Sequence, residues 1–129
     1  MTNIYNATPH TINIYAESDT TSIQGGRKLI LDAGALPLTV IKSGVPVNCT
    51  KQNLAAPSIQ SDIPLTGAVV FTAYDSLPAG YDIYIVSNLY RSAVKELGGD
   101  TSKLATVDGT VYDSESSVKP VGVLRLAVG

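Results

Sequence analysis

The sequence predicts an α+β domain: a mostly antiparallel or mixed β-sheet with one principal α-helix, about residues 88–97, across it. Three observations predict it. Short runs in which β-branched and aromatic residues alternate with polar ones recur along the chain, as half-buried strands require. One segment, Leu89 to Leu97, carries a helical stripe instead. The length of 129 residues suits one domain, 1–129, with enough interior to fold without covalent staples.

At the start of the chain, Thr2, Ile4 and Tyr5 have strand chemistry. In Thr11-Ile12-Asn13-Ile14-Tyr15 the alternation sets Ile12 and Ile14 on one face. Between these strands lies Thr8-Pro9-His10, a corner stiffened by its proline. Residues 17–26, rich in Ser, Asp, Thr and Gly, form a loop or hairpin end. Arg27 to Leu31 and Leu36 to Ile41 are the next strand candidates. Val45, Val47 and Cys49 alternate across the Gly44-Val45-Pro46 punctuation. Residues 50–67 show no period, and Pro57 and Pro64 oppose continuous helix or central strand. A long ordered loop with a helical turn around Gln52 to Ala55 is expected there, and loops of that length are often functional.

Ala68 to Ala73 and Tyr81 to Val86 are apolar on both faces, as central strands are. Tyr74 to Gly80 between them is a turn-rich connection. After Val86 the period changes to that of a helix. Leu89, Tyr90, Ala93, Val94 and Leu97 make one apolar stripe, and Arg91, Ser92, Lys95 and Glu96 the opposite face. Ser87 or Asn88 supplies the N-cap and Gly98 the C-terminal stop. Leu104–Val107 and Thr110–Tyr112 are expected as short strands joined near the hairpin dipeptide Asp108-Gly109, with Val121 to Val128 as the last strand.

Composition excludes several function classes. Hydrophobic residues make up 44% and charged residues 16%, which marks a globular chain and not a disordered one. The net charge is −2, and no basic run is longer than Arg27-Lys28. That removes the electrostatic case for duplex nucleic acid or an anionic membrane surface. Cys49 is the only cysteine, so no intramolecular disulfide is possible. No apolar stretch approaches the about 18–20 residues that span a bilayer. The start lacks the basic-then-apolar order of a secretory leader, and a cytoplasmic location is expected.

One histidine and one cysteine cannot build a tetrahedral zinc site by themselves. No Gly-x-Ser-x-Gly elbow, Walker loop or dinucleotide fingerprint is present. No catalytic residue, cofactor or metal is therefore assigned. The candidates are ligand-binding groups instead. At the strand-to-helix junction, free N–H groups at Asn88, Leu89 and Tyr90 would meet Ser87, Asn88 and Arg91, a combination suited to phosphate or carboxylate. The competing role is an ordinary cap with a solvated Arg91. His10 with Thr8 either closes a turn or donates to a ligand. Tyr74 and Tyr81 flank the Pro78–Gly80 turn and could stack on a planar group, or be turn tyrosines.

Asn6-x-Thr8-Pro9-His10-x-Ile12 opens the chain, and Tyr81-Asp82 leads into an apolar strand ending Val86-Ser87. The helix begins Leu89-Tyr90-x-x-Ala93, and Gly122 lies in the terminal strand. Together these resemble a family of small bacteriophage and prophage proteins that open with Asn-x-Thr-Pro-His. The likeness touches both ends of the chain and leaves residues 17–67 largely outside it. It implies a viral origin and work in the cytoplasm of a bacterial host, and brings no catalytic activity with it. The expected function is non-enzymatic counter-defence, sequestering a small nucleotide-derived immune signal. In that role Ser87, Asn88 and Arg91 would hold phosphate, Thr8 and His10 would hydrogen-bond, and Tyr74 or Tyr81 would stack. The alternatives are a protein-binding inhibitor or structural phage component, and a hydrolase of nucleotide signals. Homo-oligomerisation is also expected, because one helix covers only one face of an apolar sheet.

Overall fold

The computed structural model describes residues 2–56, 58–60, 62–65 and 67–129. Strands β1 (Ile4–Asn6), β2 (Ile12–Ile14), β3 (Thr20–Ile23), β4 (Lys28–Leu31) and β5 (Thr39–Ile41) come first. β6 (Cys49–Asn53), β7 (Val69–Tyr74) and β8 (Ile83–Ile85) follow. Helix α1 (Asn88–Glu96) then precedes the two longest strands, β9 (Leu104–Tyr112) and β10 (Gly122–Val128). The α+β expectation holds in its coarse form: the molecule is mostly sheet, with one α-helix among the described residues.

The main sheet runs in the order β1-β8-β9-β10-β2-β5. Its pairs are mixed: β1 with β8, β8 with β9 and β10 with β2 are parallel, while β9 with β10 and β2 with β5 are antiparallel. A bridge between Asn6 and Ser43, with the Gly44 N–H donating to the Asn6 carbonyl at 2.8 Å, returns the far edge to β1. The sheet is thus a nearly closed barrel, which leaves little unpaired edge. The β3–β4 hairpin joins it through β4 and β9, whereas β6 and β7 form a separate hairpin against α1.

The helix packs over the wall made by β1, β8 and β9. Tyr90 and Val94 meet Ala7, Tyr84, Val86 and Leu104, with Tyr5, Val47, Leu77 and Tyr81 at the margin. Each large apolar side chain buried there contributes about 1.5–3 kcal/mol. The two most central phenols keep their hydrogen bonds: Tyr84 donates to the Pro78 carbonyl and Tyr90 to the Asp75 carbonyl, both at 2.5 Å. The turn-rich connection is therefore anchored by the core beneath it. Ser87 caps the helix, accepting from the Tyr90 N–H at 3.1 Å. At the other end the N–H groups of Gly98 and Gly99 return to the carbonyls of Lys95 and Val94, closing a Schellman turn.

Several expectations are corrected. Gln52 and Asn53 lie in β6 and not in a helical turn; every side chain from Thr50 to Asn53 is exposed, so the strand has no hydrophobic period to show. Pro57 of the anticipated loop lies outside the described residues. Ala68 to Ala73 is not a central strand: β7 pairs only with β6, and Val69 is 52% exposed. Of the loop or hairpin end expected over residues 17–26, the structure has the hairpin, with residues 20–23 as one arm of β3–β4.

The hairpin expected at Asp108-Gly109 is absent, because β9 runs straight through it with β10 alongside in constant register. Gly109 has φ +71°, and a Cβ there would lie 3.0 Å from that of Leu124. A glycine allows both the left-handed backbone and the passage of Leu124 across it. No helix among the described residues is long and apolar enough to cross a membrane.

Candidate functional site

Parallel pairing builds the site. β1 and β8 run side by side in register, with Asn6 opposite Ile85, so whatever follows each strand emerges at the same sheet end. Thr8-Pro9-His10 follows the first and Ser87-Asn88 the second. β9, parallel to β8 with Ala105 opposite Ile85, brings Thr106 and Val107 to that end. The three segments border an open cleft of about 450 Å³ lined by Thr8, Pro9, His10, Val86, Ser87, Asn88 and Val107 among others.

The corner is held by Asn6, which is 2% exposed. Its side-chain oxygen accepts from the Thr8 N–H at 3.0 Å and the Thr8 hydroxyl at 2.6 Å, forming an Asx turn. Its Nδ2 donates to the carbonyls of His10 at 2.7 Å and Ile41 at 3.1 Å. Turn closure therefore uses the His10 backbone carbonyl. The imidazole is exposed and has no hydrogen-bond partner among the described residues. Of the two roles weighed for His10, the turn is closed without its ring.

A second cavity, about 670 Å³, adjoins the first and shares His10, Ile12 and Val107 with it. Its other walls are Thr11 just before β2, Asn13 within it, and the segment Lys119–Val123 entering β10. Asn13 Nδ2 donates to the Val121 carbonyl at 3.2 Å and ties these walls together. Gly122 permits the close approach: a Cβ there would lie 2.4 Å from the Tyr15 ring and 2.5 Å from the Asn13 carbonyl. The lining residues of the two cavities include no carboxylate, and Lys119 is their one Lys or Arg. Asp108, next to Val107 in the chain, is paired with Arg125 at 2.7 Å.

Thr8, His10, Ser87 and Asn88 are thus brought together. Tyr74, Tyr81 and Arg91 line neither cavity. Tyr74 packs edge-on against Tyr90, with ring centroids 5.8 Å apart, and Tyr81 lies 4.9 Å from Tyr5 and 5.8 Å from Tyr84. Both rings pack on other tyrosines: Tyr81 lies at the margin of the core beneath α1, and Tyr74 lies exposed at the end of β7 against Tyr90. Arg91 is half-buried, and its Nε has no partner among the described residues. The Tyr90 N–H, expected to be free, is occupied by the Ser87 hydroxyl, which leaves Asn88 and Leu89 as the uncapped donors. Burial, then the neighbouring Tyr74, Asp75 and Cys49, pushes the Tyr90 phenol above its ordinary 10.0.

Sequence reasoning passed over Lys119, Asn13 and the pivot role of Asn6. Asn6 was legible, since an Asn two residues before a Thr is an Asx-turn pattern. Lys119 was not, because only the pairing of β10 with β2 places it beside His10. Among the described residues no three His, Cys, Asp or Glu gather as metal ligands. Comparison of the chain with protein-family models, curated proteins and solved structures finds no match.

Proposed function

We propose that this chain is a non-enzymatic binding protein that captures a small nucleotide-derived signal in the His10 groove. In a bacterial host it acts as a phage counter-defence sponge. One observation carries the reading: an unpartnered imidazole stands where two cavities meet, beside the start of α1, with no carboxylate in either lining. Such a wall attracts a phosphate, through the start of α1 at Asn88 and the helix dipole. Ile12, Val86 and Val107 give the apolar surface that a sugar or base needs. The hydroxyls of Thr8 and Ser87 beside His10 are engaged, by Asn6 and by the Tyr90 N–H, and no carboxylate or thiol lines the groove, which favours retention over turnover.

The test is to incubate the purified protein with cyclic nucleotides and ADP-ribose derivatives, remove free ligand, and release what is held by heat. Intact ligand in the released fraction is the expected result. Altered ligand would identify a hydrolase. No retained ligand would leave the protein-binding reading. That second reading has its own observation: Leu36 is 78% exposed, Leu38 69% and Val45 73%, an apolar strip to either side of β5 in the chain. Strips of this kind mark interfaces, with a second copy of the chain or another protein. A monomeric mass by light scattering at micromolar concentration would remove the first of these.

A further inference from the structure

The composition of β7 and its place in the single chain disagree. Val69-Val70-Phe71-Thr72-Ala73-Tyr74 is apolar but for Thr72, and holds no charge, proline or glycine. Strands of that kind are normally covered on both sides. Yet β7 pairs only with β6, in a two-stranded sheet, and none of its residues is buried. The hairpin rests against α1, which still leaves Val69, Thr72, Ala73 and Tyr74 exposed. A two-stranded sheet is marginal in water, and an open edge offers its N–H and C=O groups to any strand that reaches it. The other open edges are guarded. β6 has Lys51 and a bulge between Thr50 and Lys51. β10 meets β2 only at Val123 and carries Arg125 beyond it, and β3 is only four residues long. Among the described residues, β7 has no such guard.

We infer that β7 pairs antiparallel with β7 of a second copy about a two-fold axis, giving a four-stranded sheet β6-β7-β7-β6 across a dimer. Charge favours a second copy over a foreign strand. Foreign partners are selected by complementary charge, and β7 has none to offer. A two-fold axis sets a strand against itself, so a charge on it would meet its like; β7 meets itself without repulsion. Asp75, the next residue, is turned to the hairpin's own side, where its carboxylate accepts from the Asn48 N–H at 2.9 Å. In full overlap Val69 stands opposite the partner's Tyr74, a β-branched and aromatic pair of the kind that stabilises sheets. Leu54, 49% exposed, donates its N–H to the Ala68 carbonyl and carries the apolar surface past the start of the strand. The pairing puts β7 in the central position that its composition predicts, and it is independent of what the groove binds.

Light scattering of the full chain at micromolar concentration should give the mass of a dimer. Hydrogen exchange over residues 69–74 should slow as concentration rises through the dissociation range. Thr72→Lys changes an exposed residue near the centre of the pair and sets two ammonium groups close across the axis. It should weaken association about tenfold or more. Thr72→Glu should do the same, and an equimolar mixture of the two variants should recover the dimer, which a folding defect would not. Leu38→Lys, on the exposed strip beside β5, should leave the mass unchanged. A monomer at micromolar concentration, a dimer untouched by Thr72→Lys, a dimer lost in Leu38→Lys, or no recovery in the mixture would each overturn the inference. So would exchange in residues 69–74 that ignores concentration, whether or not the variants fold.

Discussion

The side-chain oxygen of Asn6 holds Thr8 twice, through its backbone N–H at 3.0 Å and its hydroxyl at 2.6 Å. The amide nitrogen of the same residue reaches the His10 carbonyl and, across the barrel seam, the Ile41 carbonyl. One buried side chain therefore shapes the corner and links β1 to β5. The Asn-x-Thr-Pro-His pattern is in the first place a way of satisfying that amide.

Asn6→Ala should accordingly lose about 2–4 kcal/mol, because several buried groups are left without partners at once. Asn6→Asp keeps the acceptor but removes both donations and buries a charge beside two carbonyls, so it should be at least as damaging at neutral pH. Urea denaturation measures both. A loss below about 0.5 kcal/mol for Asn6→Ala would refute the pivot role.

His10→Ala should separate structure from binding. Its ring is exposed and unpartnered, and its carbonyl survives the substitution. Stability should stay within about 0.5 kcal/mol of the parent, as for surface changes in general. Ligand retained through the heat-release assay should fall. A large drop in melting temperature would show that the ring itself holds the corner.

Ser87 distinguishes cap from site. Ser87→Ala removes the acceptor for the Tyr90 N–H and should cost about 1 kcal/mol. Ser87→Asp caps equally well, so stability should be kept, while the added negative charge beside the groove should weaken nucleotide binding. Paired denaturation and titration curves check this. Unchanged affinity in Ser87→Asp would argue against an anion at the helix start.

Tyr90 sets an alkaline limit. Burial, with Tyr74, Asp75 and Cys49 nearby, raises its phenol above 10.0, so the folded state favours the neutral form. Its contribution is then fully present below pH 10.0 and is lost as pH rises through the folded-state value. Tyr90→Phe should flatten the stability profile above that pH. At neutral pH it should cost about 1 kcal/mol for the hydrogen bond to the Asp75 carbonyl. Denaturation midpoints across the alkaline range would reveal the difference in slope.

Local chemistry made α1 legible. The Leu89–Leu97 stripe, the Ser87 cap and the Gly98 stop are short-range patterns, and Tyr90, Ala93 and Val94 are the residues it buries. β8 was legible for a related reason: a strand covered on both faces is apolar throughout, and it lies between β1 and β9. β6 was not, since its exposed polar side chains carry no period. At Asp108-Gly109 the dipeptide's turn preference yielded to a ladder of pairs with β10 on both sides.

For the site, the sequence by itself determined the parts: a proline-stiffened corner after one strand and a capped helix start after another. Only the tertiary structure decided that they meet. Parallel pairing of β1 with β8 and of β10 with β2 joins segments far apart in the chain, and no local propensity encodes such a register. The same pairing admitted Lys119 to the groove, while Tyr74 and Tyr81 pack on other tyrosines away from it. Burial of apolar surface, summed over the whole fold, made both choices.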